Sequence, residues 1–215
     1  MSKTIEHAGY TSFPSGSIFP SSFITDDVVS SACSGGKQSV VAESIANFPD
    51  TYTDDGASGA SDSIGVIYLG DNNIFSDCAG EPLPVECRIS AINQDSDAAR
   101  IYSSFFVEDS TLKCAGSRTA DKVDIAEGIE NIQLLYGVNI DGDPEVDRYI
   151  NATQVGTFAD NIVSVQIAIL VRSSREVKDS PESIEYSLLD SVYTSPNDRF
   201  LRAVFTTTVS LRNTL

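Results

Sequence analysis

The chain has 215 residues, 41% of them hydrophobic and 21% charged. These are the proportions of a globular protein with a real core, not of a disordered chain. Its 31 acidic and 14 basic residues leave a formal charge of −17, which repels phosphate backbones and argues against nucleic-acid binding.

Residues 1–9, MSKTIEHAG, read as the last turns of a helix stopped by Gly9, too short to be stable alone. From Tyr10 to about residue 60 the chain is rich in Ser, Gly, Pro, Asp and Thr. FPSGSIFPSSF and YTDDGASGASD read as loops there, and only DDVVSSA and QSVVAESI have the makings of regular structure. Strand signals begin at SIGVIYL (Ser63–Leu69) and continue through RISAI (Arg88–Ile92) and ARIYSSFFV (Ala99–Val107). EDS then turns the chain into TLKCAG, completing a hairpin. The acidic patches Asp54-Asp55 and Asp71 to Asp77 are irregularly spaced and read as solvated loops.

The second half is more regular. In GIENIQLLYGV, Ile132, Leu134, Tyr136 and Val138 alternate with other residues at period two, and VDRYI restarts a strand to close a hairpin. NIVSVQIAILVRS puts Val163, Val165, Ile167, Ile169 and Val171 on one face, with Ala168 and Leu170 making the other partly apolar, as in a central strand. The polar insert SSREVKDSPESIEYSLLDSVYTSPNDR crosses over or caps the sheet. RFLRAVFTTTVSLRN then places Leu201, Ala203, Phe205, Thr207, Val209 and Leu211 on one face. The reading is α+β, mostly β: one domain over 1–215, with a helix stub at 1–9, loop-rich decoration at 10–60, and an antiparallel sheet of four to seven strands at 61–215.

Cys33, Cys78, Cys87 and Cys114 form no CxxC pair, and with a single histidine they do not make a Cys/His zinc site. Their even count and wide spacing favour two disulfides in an oxidising compartment over four buried thiols, with three pairings possible. Yet Met1-Ser2-Lys3-Thr4 opens no signal peptide, and no run of 18 apolar residues spans a membrane. The sequence therefore reads as a segment whose natural N-terminus has been removed. Catalysis finds no support: His7 lies in the helix stub, and GxSxG, GxxxxGK[ST] and a strand-following GxGxxG are all missing. Carboxylate pairs for glycoside hydrolysis stay open among so many acids, though abundance by itself is no signal.

One stretch looks like a ligand site. VNIDGDPEVDRY spaces Asn139, Asp141 and Asp143 at alternate positions and puts Asp147 four residues on. With the backbone carbonyl of Glu145, these make a candidate Ca²⁺ loop, with ligands at positions one, three, five, seven and nine. An EF-hand is excluded, because Pro144 stands at the sixth position, which needs glycine, and Ile150 at the twelfth, which needs glutamate. Two readings stand: a shorter calcium hairpin, or a plain Asp-Gly turn at Asp141-Gly142.

The runs AEGIENIQLLYGVNIDGDPEVDRYI, NIVSVQIAILVRS and DRFLRAVFTTTVSLRN resemble the C-terminal half of PilW-type minor pilins of bacterial type IV pili. IEHAGY, SDSIGVIYLG, DCAG and LKCAG sit where that family has its AGY, strand and cysteine segments. The resemblance implies a pilin-like antiparallel sheet packed on the C-terminal remnant of an N-terminal helix, with long loop insertions. It implies the disulfide Cys78–Cys114, at DCxG and LxCxG positions, and with it Cys33–Cys87. An acidic DGD loop after YGV is also family-like, except that Pro144 stands where glycine is usual. By the same resemblance the missing apolar helix anchors the native protein in the inner membrane, facing the periplasm, before assembly into the surface pilus. The implied role is non-enzymatic: a structural subunit that primes assembly and stays near the fibre tip with other minor pilins, the major pilin and a tip adhesin. The alternatives are the related pseudopilin tip component of type II secretion and a secreted calcium- or carbohydrate-binding β module.

Overall fold

Period-two runs of β-branched and aromatic residues supply most of the strands. The computed structural model describes residues 1–9, 23–24, 28, 30–41, 53–90, 95, 97–143 and 145–211. A first antiparallel sheet is a meander of β3 (Ile64–Leu69), β4 (Arg100–Glu108), β5 (Thr111–Gly116) and β6 (Lys122–Glu127). A second holds β7 (Ile129–Val138), β8 (Arg148–Ile150), β9 (Ile162–Arg172) and β12 (Arg202–Ser210), in the order β12-β9-β7-β8. Two small ribbons complete the strands: β1 (Ala32–Cys33) with β2 (Lys37–Gln38), and β10 (Glu185–Leu188) with β11 (Ser191–Thr194). The helices α1 (Ser2–Glu6) and α2 (Val155–Phe158) are short.

The architecture is thus α+β and mostly β, with the strands divided between two four-stranded sheets instead of joined in one. The division is made at Gly128, which separates β6 from β7 with φ +78. That left-handed turn suits glycine, and a Cβ there would stand 3.0 Å from the Arg172 carbonyl oxygen. The chain leaves one sheet and enters the other within a single residue. Both sheets feed one core. Ile64, Val66, Ile101, Phe105, Leu112 and Cys114 from the first meet Ile132, Leu134, Tyr136, Val165 and Ile167 from the second. Ile5 of α1 is fully buried in the same cluster, and Phe23 meets Tyr136 edge-to-face at 5.2 Å. Each such side chain contributes about 1.5–3 kcal/mol through burial. Cys33 is bonded to Cys87 and Cys78 to Cys114. The first ties the β1–β2 ribbon to the one-turn helix Val85–Cys87, and the second ties the 77–82 loop to β5.

Several sequence readings change. RISAI is not a strand over Arg88–Ser90, and residues 91–92 lie outside the described residues. Its register is lost because the Val85–Cys87 helix turn and the Cys33 bond fix the chain before it. One bond from Ile89 N to Gly70 O remains, with Ile89 packed on Leu69 and Ala99. KVDIAE forms β6 despite mixed charge, because it pairs β5 rather than burying a face. The polar insert hides the β10–β11 hairpin, whose Leu188 packs on Ala168 and Leu170, so this insert caps the outer face of the second sheet. FPSGSIFPSSF, most of DDVVSSA and most of QSVVAESI lie outside the described residues.

A bulge also shifts the start of β9. Gly137 pairs Ser164, but Val138 pairs Ile162. The skipped residue reverses the alternation, so Ile162 joins the core in place of Val163. Val163 is half-buried beside the acidic loop instead.

Candidate functional site

The acidic stretch connects β7 to β8 as a hairpin loop that folds back over the second sheet. Gly137 makes this possible: a Cβ there would lie 2.3 Å from Ser164 Oγ and 3.1 Å from both Val146 methyls. Val146 occupies the space a side chain would need. The loop builds itself from Asx turns. Gly142 N donates to Asn139 Oδ1 (2.8 Å), Asp143 N to Asp141 Oδ1 (3.1 Å) and Glu145 N to Asp143 Oδ1 (2.8 Å). Ile140 N donates to Asp147 Oδ2 at 2.6 Å, and Asn139 Nδ2 donates to the Asp143 carbonyl. Gly142 takes φ +84, as an Asp-Gly turn requires.

Asn139, Asp141, Asp143, Glu145 and Asp147 are therefore brought into one loop, joined through backbone N–H groups. Among the described residues, no three His, Cys, Asp or Glu side chains converge on a point as metal ligands. Pro144 lies outside the described residues, and with it the sixth-position argument.

The loop forms one wall of a cleft of about 860 Å³. Asp141 and Asp143 face it from the loop, Asp160 from the turn before β9, and Thr208 and Ser210 from β12. Exposed Ile140 and Tyr149 give it an apolar rim. Ser164 lies on its floor, 5% exposed, and its hydroxyl has no hydrogen-bond partner among the described residues.

Of the other acidic patches, Asp54 is exposed and Asp55 half-buried, but Asp71 and Asp77 are not solvated. Asp71 and Asp77 are 4% and 5% exposed. Asp71 Oδ1 accepts from Asn73 N and Ile74 N, each at 2.7 Å. Asp77 accepts from Ala79 N, Glu81 N and Arg118 N, and burial raises its pKa despite those bonds. Gly116 must stay bare beside it, since a Cβ would come within 2.1 Å of Asp77 Oδ2.

Asp62, which sequence reasoning missed, is 2% exposed. Its Oδ1 accepts from Gly56 N (2.9 Å) and its Oδ2 from Leu134 N (2.7 Å). Burial pushes its carboxyl up to about 7, with Asp55 and Asp190 adding to the rise against the pull of the two N–H bonds. The turn holding Asp62 covers the open edge of β7. Asp62 N donates to Ile132 O, while the side chains of Asn131 and Gln133 donate to Gly59 O and Ala60 O. No residue-type pattern marks such caps, because their partners are backbone amides far away in sequence. His7 sits edge-on to Tyr68 at 6.4 Å between centroids, a packing role.

Among the described residues no helix is long and apolar enough to cross a membrane. The sequence profile of the Type IV Pilus-assembly protein W family, PilW, matches residues 92–213. That range holds every strand of the second sheet and three of the four in the first. No curated protein matches the chain. Among solved structures, the type IV-like pilin TTHA1219 from Thermus thermophilus is similar at 15% identity, over 74% of this chain and 83% of that one, with a TM-score of 0.41.

Proposed function

The chain belongs to the PilW family of type IV pilus-assembly proteins, and from that premise we propose that it is a minor pilin: a non-catalytic subunit that primes assembly and stays near the fibre tip. The family match over residues 92–213 carries this reading. Its partners on this reading are other minor pilins, the major pilin and a tip adhesin. Before assembly it is held in the inner membrane by an apolar helix leading into IEHAGY, with the β domain in the periplasm. Two disulfides suit that oxidising compartment. Immunogold labelling of isolated pili tests the position: gold at fibre ends is expected, and labelling along the shaft, or none on the fibre, overturns it. A deletion that blocks protein secretion and spares the pili would move the assignment to the pseudopilins of type II secretion.

Calcium binding by the Asn139–Asp147 loop is a second proposal. Its support is the ligand spacing, together with the second carboxylate oxygens of Asp141, Asp143 and Asp147, which make no hydrogen bond among the described residues. Thermal melts with and without Ca²⁺ decide it.

A further inference from the structure

The two main sheets present four outer edges; among the described residues the β3 edge and most of the β7–β8 edge are covered, and the β6 edge is guarded by charge. β3 is wholly buried and bonded along its edge: Ile24 N reaches Gly65 O, and Gly9 N reaches Ile67 O. β6 carries Lys122, Asp124 and Glu127 and bulges at Ile125, where its register with β5 shifts between Leu112 and Lys113; both discourage further pairing. β8 is three residues long, and the rest of β7's edge lies under the Gly59–Asp62 turn.

β12 differs. It runs nine residues and pairs β9 without a register shift. Ser173 N bonds Leu201 O and Leu211 N bonds Val163 O, so the odd-numbered residues exchange their bonds with β9. Val204, Thr206, Thr208 and Ser210 therefore turn their N–H and C=O groups outward. No proline interrupts the strand, and its one charged residue does not guard the edge. Arg202 is turned inward, its side chain fully buried against Glu130 and Asp198. Beside the open edge, Phe205 is 62% exposed and Leu201 57%. At its end, Thr208 and Ser210 open into the cleft walled by Asp141, Asp143 and Asp160, over the Ser164 hydroxyl, which has no partner among the described residues.

We propose that β12 receives an added strand from a different pilus subunit, one that carries a lysine or arginine into the acidic cleft at the Ser210 end. This rests on the pilus reading above. The edge, which no described residue bonds, supplies main-chain bonds, Phe205 and Leu201 supply apolar contact, and the three carboxylates select the charge. A second copy of this chain is the poorer occupant, because two bodies of charge −17 repel.

The test titrates this domain with the soluble domain of each other pilus subunit of the same bacterium, reading affinity and amide hydrogen exchange. One subunit is expected to bind and to slow exchange at Val204, Thr206, Thr208 and Ser210. Thr206→Pro, which removes an outward N–H that β9 does not use, should weaken binding at least tenfold. Should that variant not fold, Thr206→Lys/Thr208→Lys tests the same edge by setting cations against a basic strand. Asp143→Asn/Asp160→Asn should weaken binding several-fold and flatten its salt dependence. Equal binding by the edge variants, protection confined to other strands, protection by self-association alone, or binding by none of the subunits overturns the proposal. In cells the two readings separate. If deleting the gene removes pili and the Thr206→Lys/Thr208→Lys protein restores them fully, the added strand is wrong and the pilus reading survives. If deletion leaves the pili intact, the pilus reading itself fails.

Discussion

Asp62 ties the 56–62 turn to β7 with a single carboxylate, and its titration is a direct test of that bond. Its folded pKa of about 7 stands above the ordinary carboxylate value. The folded state therefore holds the proton more tightly than the unfolded chain, and this group's contribution is greatest at low pH and is lost as pH rises through 7. Asp62→Asn should flatten the fall in melting temperature between pH 5 and 8 while lowering the melt at pH 5 through one poorer hydrogen bond; an unchanged pH slope would contradict the assignment. Gly116 gives a steric test. Asp77 is locked by three N–H donors and cannot yield, so Gly116→Ala should cost ~1–3 kcal/mol in denaturant unfolding. If the Asn139–Asp147 loop holds the ion, Ca²⁺ raises the melt and Asp143→Ala removes the rise. A melt indifferent to Ca²⁺ and chelator leaves a hairpin built from Asx turns alone.

Among the elements, the 198–202 segment and the disulfides hold the second sheet and the decoration in place. Arg202 pairs Glu130, whose side chain is 5% exposed, and Asp198, whose carboxyl it holds down to about 2. Removing the guanidinium strands a buried carboxylate, so Arg202→Ala should cost about 3–5 kcal/mol in unfolding experiments. Asp198's share of stability is present above the usual carboxylate range and is lost as pH falls towards 2. The Cys78–Cys114 bond closes a 36-residue separation, and opening it should cost ~4 kcal/mol on the loop-entropy account. The long strands β7, β9 and β12 were legible because their apolar residues alternate over many positions. β6 and the β10–β11 hairpin were not, since neither is dominated by apolar alternation. The misread parity at Val163 came from a bulge, which leaves no trace in residue types. The acidic loop was legible as a turn through Asp141-Gly142. The buried roles of Asp62, Asp71 and Asp77 were not, because a cap and a solvated carboxylate have the same letter.

At the scale of the whole molecule, two sheets share one core, the chain passing between them at Gly128, and two disulfides tie the loops and the β1–β2 ribbon to the first-sheet side. Membership of the PilW family makes this body part of type IV pilus assembly. On the added-strand proposal the acidic surface favours a basic partner, and association should weaken as salt rises. The central claim, that the protein is a structural subunit needed to build the pilus, is tested most directly by deleting its gene and counting surface pili by electron microscopy. The account predicts few or no pili, restored when the intact protein is supplied in trans. Pili of normal number and length in the deletion strain would contradict it.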